Sequence, residues 1–158
     1  MISIDVSAQA GQTGQRRRHE RGRSRTRQSH VIGLDMNILV RYLAQDDRAQ
    51  SVLATALIET QCTAESPGIV GLVVLAEVVW VSESVYGASR ADIVEEVTRI
   101  LSSRQLAIQD AEGVWQALRH FESGRADFAD CLIRRGAAAA GFDKTMSFYK
   151  CAGVTSLT

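Results

Sequence analysis

VIGLDMNILVRYL, residues 31–43, is the stretch of sequence that decides the fold. Its first four residues are almost all apolar and end at Asp35, and helical periodicity follows. A short apolar run without alternation is typical of a strand that is buried on both faces of a parallel sheet. Ligands of such sheets bind outside the carboxyl ends of the strands. The stretch therefore predicts an α/β fold in which Asp35 lies at a functional edge.

The rest of the chain alternates between further strand patterns and helical patterns. Pro67-Gly68, Gly87 and Gly124 mark breaks, Ser89 with Asp92 forms a capping-box pattern, and Asp110 is placed to cap the next helix. Strands that alternate with helices are typical of a parallel sheet with helices on both faces. Four later strands are predicted, in GIVGL (68–72), LAIQD (106–110), KTMSF (144–148) and GVTSL (153–157).

The charge is unevenly distributed, although the formal net charge is zero. Residues 1–30 hold seven arginines against Asp5 and Glu20, a net charge of +5, and residues 31–158 carry −5. Because residues 1–30 are nearly devoid of apolar side chains after Val6, we expect a disordered tail. It is either an arginine-rich arm that binds RNA or a segment without a role, left by an upstream start site. The predicted domain spans residues 31–158.

Cysteine, histidine and hydropathy exclude several protein classes. The three cysteines form no CxxC pair, as expected for a reduced, cytoplasmic protein, and only His120 lies outside the tail. A zinc site of histidine and cysteine is therefore not expected. No apolar run reaches the roughly 18 residues that a membrane span needs, and the N-terminus lacks the apolar core of a signal peptide. We expect no membrane partner.

Four acids fall where apolar residues dominate: Asp35, Glu77, Asp127 and Asp130. Glu77 is the only charge in the run IVGLVVLAEVVWV (69–81), and Asp127 and Asp130 open a helix on what its pattern predicts to be a core-facing side. Each acid has a structural alternative: Asp35 and Asp127 as N-caps, Asp130 as a first-turn acid, and Glu77 on a thin polar stripe. A hard divalent cation, Mg²⁺ or Mn²⁺, would explain all four together.

Three segments resemble PIN-domain proteins, and the VapC-type toxin ribonucleases in particular. They are VIGLDMNILVRYL, LAEVVWV and GRADFADCLI, in the order that the family shows, and the resemblance covers residues 31–158. It implies a PIN-like three-layer α/β/α sandwich with a central parallel sheet. It also implies a metal-dependent endoribonuclease of a type II toxin–antitoxin pair, which hydrolyses RNA with a metal-activated water. A cognate antitoxin, an RNA substrate and a homodimer are the implied partners.

The resemblance also assigns site residues. Asp35, Glu77 and Asp130 are the implied metal ligands, with Asp127 beside them as a fourth acid. Asn37 matches the family's asparagine and would orient Asp35 or a metal-bound water. The implied cofactor is Mg²⁺ or Mn²⁺, and no nucleophilic serine or cysteine is required. Cys131 is expected to be a small buried hydrophobe.

The chain departs from the family pattern at Tyr149, where the last acid is expected. A phenol is a poor ligand for a hard metal. The alternative function is therefore a degenerate PIN domain that binds an antitoxin or RNA with weak or no cleavage. A small-molecule α/β enzyme is disfavoured, because no glycine-rich phosphate loop follows the first strand. Five arginines are candidates for attracting RNA: Arg41, Arg48, Arg125, Arg134 and Arg135.

Overall fold

The computed structural model describes residues 31–147 and 155–156, and it shows a mainly helical α/β architecture. The predicted tail, Tyr149 and Cys151 lie outside the described residues. In chain order, the elements are β1 (Ile32–Gly33), α1 (Met36–Ala44), α2 (Arg48–Gln61), β2 (Gly68–Val70), α3 (Leu72–Ser84), α4 (Arg90–Ser102), β3 (Leu106–Ile108), α5 (Ala111–Ser123), α6 (Phe128–Ala139), β4 (Met146–Ser147) and β5 (Thr155–Ser156).

Strands β1, β2 and β3 form a parallel sheet in that order, with β2 between the other two. The predicted α/β class and parallel pairing are thereby confirmed, whereas the three-layer sandwich stays a prediction. Beyond β1, the Leu34 N–H still donates to the Ile69 carbonyl at 2.9 Å. Among the described residues, β4 pairs in parallel with β5 rather than with this sheet. The carboxyl edge near the candidate site is therefore formed by β1, β2 and β3.

Close packing beneath the sheet requires a glycine at the start of β2. A Cβ atom on Gly68 would lie 2.7 Å from Leu34 Cδ1 and 2.9 Å from Cys62 Sγ. Both side chains are buried, and Cys62 is a free cysteine. Any larger residue at position 68 would therefore force the Leu34 and Cys62 side chains, or β2 itself, to shift.

The core is built from one face of each helix. Leu75 and Val78 of α3, Val114 of α5 and Phe128 of α6 are almost fully buried within it. α3 is rich in valine, which favours strands, yet it is helical because its packing against α1, α4 and α6 outweighs this local preference. Cys131 is buried, as the sequence predicted.

Local capping signals in the sequence are confirmed. Ser89 and Asp92 form a reciprocal capping box at the start of α4, and Asp110 accepts from the Gly113 N–H at the start of α5. Gly124 follows the last residue of α5 as its C-cap. Within the described part of the chain, none of the helices has both the length and the apolar character needed to cross a membrane.

Candidate functional site

Asp35 lies directly beyond the carboxyl end of β1 and begins α1. Its Oδ1 accepts a hydrogen bond from the Met36 N–H at 2.6 Å, and its Oδ2 accepts one from Asn37 Nδ2 at 3.3 Å. The N-cap alternative is therefore observed. Asp35 is exposed, and within residues 31–147 its hydrogen-bond donors are both neutral N–H groups, so capping leaves its negative charge accessible to a cation.

Asp127 and Asp130 lie one helical turn apart at the start of α6. The Asp127 Oδ1 accepts from the Asp130 backbone N–H at 2.6 Å, so Asp127 is the N-cap and Asp130 a first-turn acid. The prediction that they occupy a core-facing side is corrected: Asp127 is exposed and Asp130 half-buried, while Phe128 and Cys131 are buried. The reason is the 100° step of a helix, which points residues 127 and 130 away from the face of 128 and 131.

Glu77 lies on an apolar groove between two helices. This α3–α6 groove has a volume of about 630 Å³, and its lining includes Val73, Ala76, Glu77, Trp80, Ala129 and Ile133. Glu77 is exposed, and it is the only charged residue that lines the groove within the described part of the chain. Glu77 is solvated, as the polar-stripe alternative requires, but Val73 and Trp80, the exposed groove residues one turn away on α3, are apolar. Ala129, which precedes Asp130, also lines the groove, so the groove joins the segments of Glu77 and Asp130.

The candidate ligands form small groups in this structure. Asp35 pairs with Asn37, Asp127 contacts Asp130, and Glu77 shares a groove with the start of α6. Within residues 31–147 and 155–156, no three side chains of histidine, cysteine, aspartate or glutamate come close enough together to hold a metal ion.

The donors nevertheless fit the chemistry of magnesium. Mg²⁺ is usually held by one or two protein carboxylates and keeps several waters, and it does not need an all-protein cage. Asp127 and Asp130, one helical turn apart, are the candidates for such a pair, and the exposed Asp35 is a further candidate at the end of a parallel strand. The hard oxygen donors suit Mg²⁺ or Mn²⁺ better than softer metals.

Arg90 supports the segment that carries the acid pair, and the sequence did not single out this residue. Its guanidinium donates to the carbonyls of Phe121 and Ala126, the latter at 3.1 Å. Its Cζ lies 4.0 Å from the centroid of the Phe121 ring. The Phe121 ring meets the Phe128 ring edge to face, with centroids 5.8 Å apart. An arginine at the first position of a helix opposes the helix dipole, and this was the available signal that Arg90 has a tertiary partner.

A separate charged cluster ties α1 and the end of α3 to the turn before α2. Arg41 Nη1 donates to both oxygens of Asp46, at 2.7 and 2.8 Å, and the Tyr86 hydroxyl donates to Asp46 Oδ2 at 2.6 Å. The hydrogen bond from Tyr86, aided by Arg41, lowers the pKa of Asp46 to about 2. The same hydrogen bond raises the pKa of Tyr86. Arg41 is therefore paired within the fold.

The other arginines proposed to attract RNA occupy varied surroundings. Arg48 and Arg125 are exposed, whereas Arg134 and Arg135 on α6 are half-buried. The Nε atom of Arg135 is buried and has no hydrogen-bond partner among the described residues. Arg48 and Arg125 are thus the two of the five that present their charge most openly.

A buried acid lies between α3 and α4. Glu96 is 9% exposed and lines a cavity of about 210 Å³ together with Ser82, Tyr86 and Arg99. Its Oε1 accepts from the Ser82 hydroxyl at 3.0 Å. Burial raises the pKa of Glu96, and the hydrogen bond from Ser82 partly opposes this. Helical spacing was the available signal, because Glu96 falls on the same face of α4 as Ile93 and Ile100.

Comparison with known proteins yields no relative. No family model matches the chain, and no curated protein or solved structure matches it significantly. The resemblance to PIN-domain proteins therefore stays a prediction from the three sequence segments.

Proposed function

We propose that this chain is a PIN-like, metal-dependent endoribonuclease of the VapC type, the toxin of a cytoplasmic toxin–antitoxin pair. The observation that carries the proposal is the junction of β1 and α1. There a parallel strand ends at an exposed aspartate, Asp35, whose second oxygen is held by Asn37. This junction combines the sequence segment most similar to the family with the sheet edge at which α/β proteins bind ligands.

Helices α3 and α6 carry the other three acids. Glu77 lies on α3, directly after β2, and Asp127 and Asp130 lie at the start of α6, which packs against α3. In the proposal, Asp35, Glu77 and Asp130 hold the cation with Asp127 beside them, and the three-layer sandwich brings them to one edge. The contact of α3 with α6 supports this arrangement, because it joins the segments of Glu77 and Asp130.

Each residue then has a physical task. Asn37 fixes the direction of the Asp35 carboxylate through its Nδ2–H. Asp127 holds the Asp130 backbone and so fixes the start of α6. When bound, Mg²⁺ or Mn²⁺ would supply an activated water and neutralise charge on the reacting phosphate. The exposed cations Arg48 and Arg125 would help an acidic site to attract RNA.

The α3–α6 groove favours a second candidate function, a degenerate PIN domain that binds without cleaving. Val73, Trp80 and Ile133 are 74%, 63% and 59% exposed, and all three line the groove. Exposed apolar patches of this kind mark surfaces that bind proteins, and a cognate antitoxin is the occupant that this alternative requires. Tyr149, in place of the expected fourth acid, also favours it. A homodimer stays a prediction under either function.

An RNA cleavage assay tests the proposal. A mixed-sequence single-stranded RNA is incubated with the full chain in Mn²⁺, in Mg²⁺ or in EDTA, beside Asp35→Asn and the control Asp143→Asn. Asp143 is an exposed aspartate before β4 and lies outside the three segments. We expect metal-dependent cleavage by the wild type and by the control, and none by Asp35→Asn.

The same RNA discriminates between the two functions. If the wild type binds it in EDTA but does not cleave it with either metal, the binding module is favoured and the nuclease is rejected. Cleavage that persists in EDTA, or that is equal in Asp35→Asn, would also reject the proposed site.

A further inference from the structure

Arg90 connects α4 with the end of α5 and with the loop that leads into Asp127. It is the first residue of α4, placed there by the capping box of Ser89 and Asp92. From this position its guanidinium reaches the end of α5 and the connection between α5 and α6, through the carbonyls of Phe121 and Ala126. These partners are 31 and 36 residues away in sequence. A single half-buried side chain therefore joins α4 to the segment that precedes Asp127.

Two contacts lead from Arg90 to the acids. The first runs through the backbone, because the Ala126 carbonyl that accepts from Arg90 Nη2 belongs to the peptide unit that enters Asp127. The second runs through aromatic rings: the guanidinium lies over Phe121, and Phe121 meets Phe128 at an interplanar angle of 84°. Phe128 is the first residue of α6, directly after the N-cap Asp127 and two residues before Asp130.

The chemistry of these contacts is specific to arginine. A guanidinium is planar, so it can stack on a ring while its two terminal nitrogens donate to two different carbonyls. Both carbonyls lie at or just after the carboxyl end of α5, where a positive charge is favourable. Lysine would keep the charge, but it would lose the stacking on the Phe121 ring and one of the two hydrogen bonds to the carbonyls.

We infer that Arg90 is a positioning residue for Asp127 and Asp130, acting through the Ala126 carbonyl and the Phe121–Phe128 ring pair. This inference rests on the proposed metal-dependent function, because the acids need a defined direction only if they hold a cation. Residues that orient metal ligands typically change metal affinity or activity by about 10–100-fold when they are replaced. Arg90 contacts neither carboxylate, so its effect is expected at the lower end of this range.

The test compares Arg90→Lys with Arg119→Lys in the full chain. Arg119 is an exposed arginine on α5, so its replacement controls for the same chemical change on the surface. Mn²⁺ binding is titrated without RNA, and amide hydrogen exchange is followed over residues 126–131. We expect Arg90→Lys to weaken Mn²⁺ binding about tenfold and to speed exchange of the Asp130 amide. Arg119→Lys should match the wild type in both measurements.

RNA cleavage at excess Mn²⁺ distinguishes a positioning role of Arg90 from a purely structural role. If Arg90 positions the acids, excess Mn²⁺ should restore much of the cleavage by Arg90→Lys but not that by Asp130→Asn. Unchanged Mn²⁺ affinity together with unchanged exchange would overturn the inference. Faster exchange throughout α1 and α3 as well would also overturn it, since Arg90 would then hold the fold as a whole.

Two further outcomes are separable. If Arg90→Lys does not fold, Phe128→Leu interrupts the ring contact while leaving Arg90 in place, and it should weaken Mn²⁺ binding in the same way; unchanged binding would overturn the inference. If the wild type binds no Mn²⁺, the proposed function fails. The exchange rates of residues 126–131 alone then decide whether Arg90 orders the start of α6.

Discussion

Asp46 and Asp35 are both exposed aspartates beside helix ends, and the fold treats their charges differently. Asp46 receives two hydrogen bonds from Arg41 and one from Tyr86, so the guanidinium balances its charge and the phenol adds a hydrogen bond. In the part of the chain that the structure describes, Asp35 receives only the Met36 backbone N–H and the Asn37 amide. The first arrangement is a structural link between elements, whereas the second orients a carboxylate and leaves its charge available to an external cation.

Replacing each of the two aspartates in turn should give the largest difference in RNA cleavage. Asp35→Asn keeps the size and the capping ability of the side chain but removes the charge. We expect it to reduce metal-dependent RNA cleavage by about 100-fold or more. Asp46→Asn removes the same charge from the other region and should leave cleavage close to that of the wild type. Equal losses in both variants, measured as initial cleavage rates, would contradict a special role for Asp35.

The N-cap of α6 allows capping and charge to be separated. Asp127→Ala removes the acceptor of the Asp130 N–H, so the free energy of unfolding should fall by about 1 kcal/mol. Asp127→Asn retains a capping oxygen and should lose only a few tenths of that amount, while both variants weaken Mn²⁺ binding. Urea unfolding without metal measures the difference. Equal stability of the two variants would show that the cap contributes little.

The pH dependence of stability should distinguish Asp46 from an ordinary surface acid. Its pKa in the folded state is lowered to about 2, so its stabilising effect is present above the unfolded value near 3.9 and is lost as the pH falls toward 2. Asp46→Asn should therefore be less stable than the wild type at pH 7, and this difference should shrink as the pH falls toward 2. Urea unfolding at both pH values checks this, and a difference that is the same at both would contradict it.

Glu96 should show the opposite dependence, with the smallest effect. Burial raises the pKa of Glu96, so its protonated form is favoured in the fold and the wild type loses stability as the pH rises through that pKa. Glu96→Gln keeps an acceptor for the Ser82 hydroxyl and should be more stable than the wild type at pH 8. The difference should vanish below about pH 4. The neighbouring Glu95→Gln, an exposed control, should show no such change in melting temperature.

Features encoded by neighbouring residues could be predicted from the sequence. The capping box of Ser89 and Asp92, the cap at Asp110 and the cap of α1 by Asp35 depend on contacts within a few residues. Features that join distant segments could not. Tyr86 reaches Asp46 across 40 positions and Arg90 reaches Ala126 across 36, and no local pattern encodes either contact.

The candidate site shows the same division. Asp35, Asp127 and Asp130 could be chosen from the sequence because acids are unusual beside strand ends and apolar helix starts. How far each carboxylate is exposed could not be predicted, because this depends on which faces α1 and α6 turn toward the core. The α3–α6 groove around Glu77 likewise exists only where two separate helices meet.

Titration of the protein with Mn²⁺ in the absence of RNA tests the central claim most directly. The wild type, Asp35→Asn, Asp130→Asn and the control Asp143→Asn are compared at equal concentration. The account predicts saturable binding by the wild type and by Asp143→Asn, and binding weakened about tenfold or more by the other two variants. No saturable binding by the wild type, or equal affinity in all four proteins, would contradict the claim that these acids form a metal site.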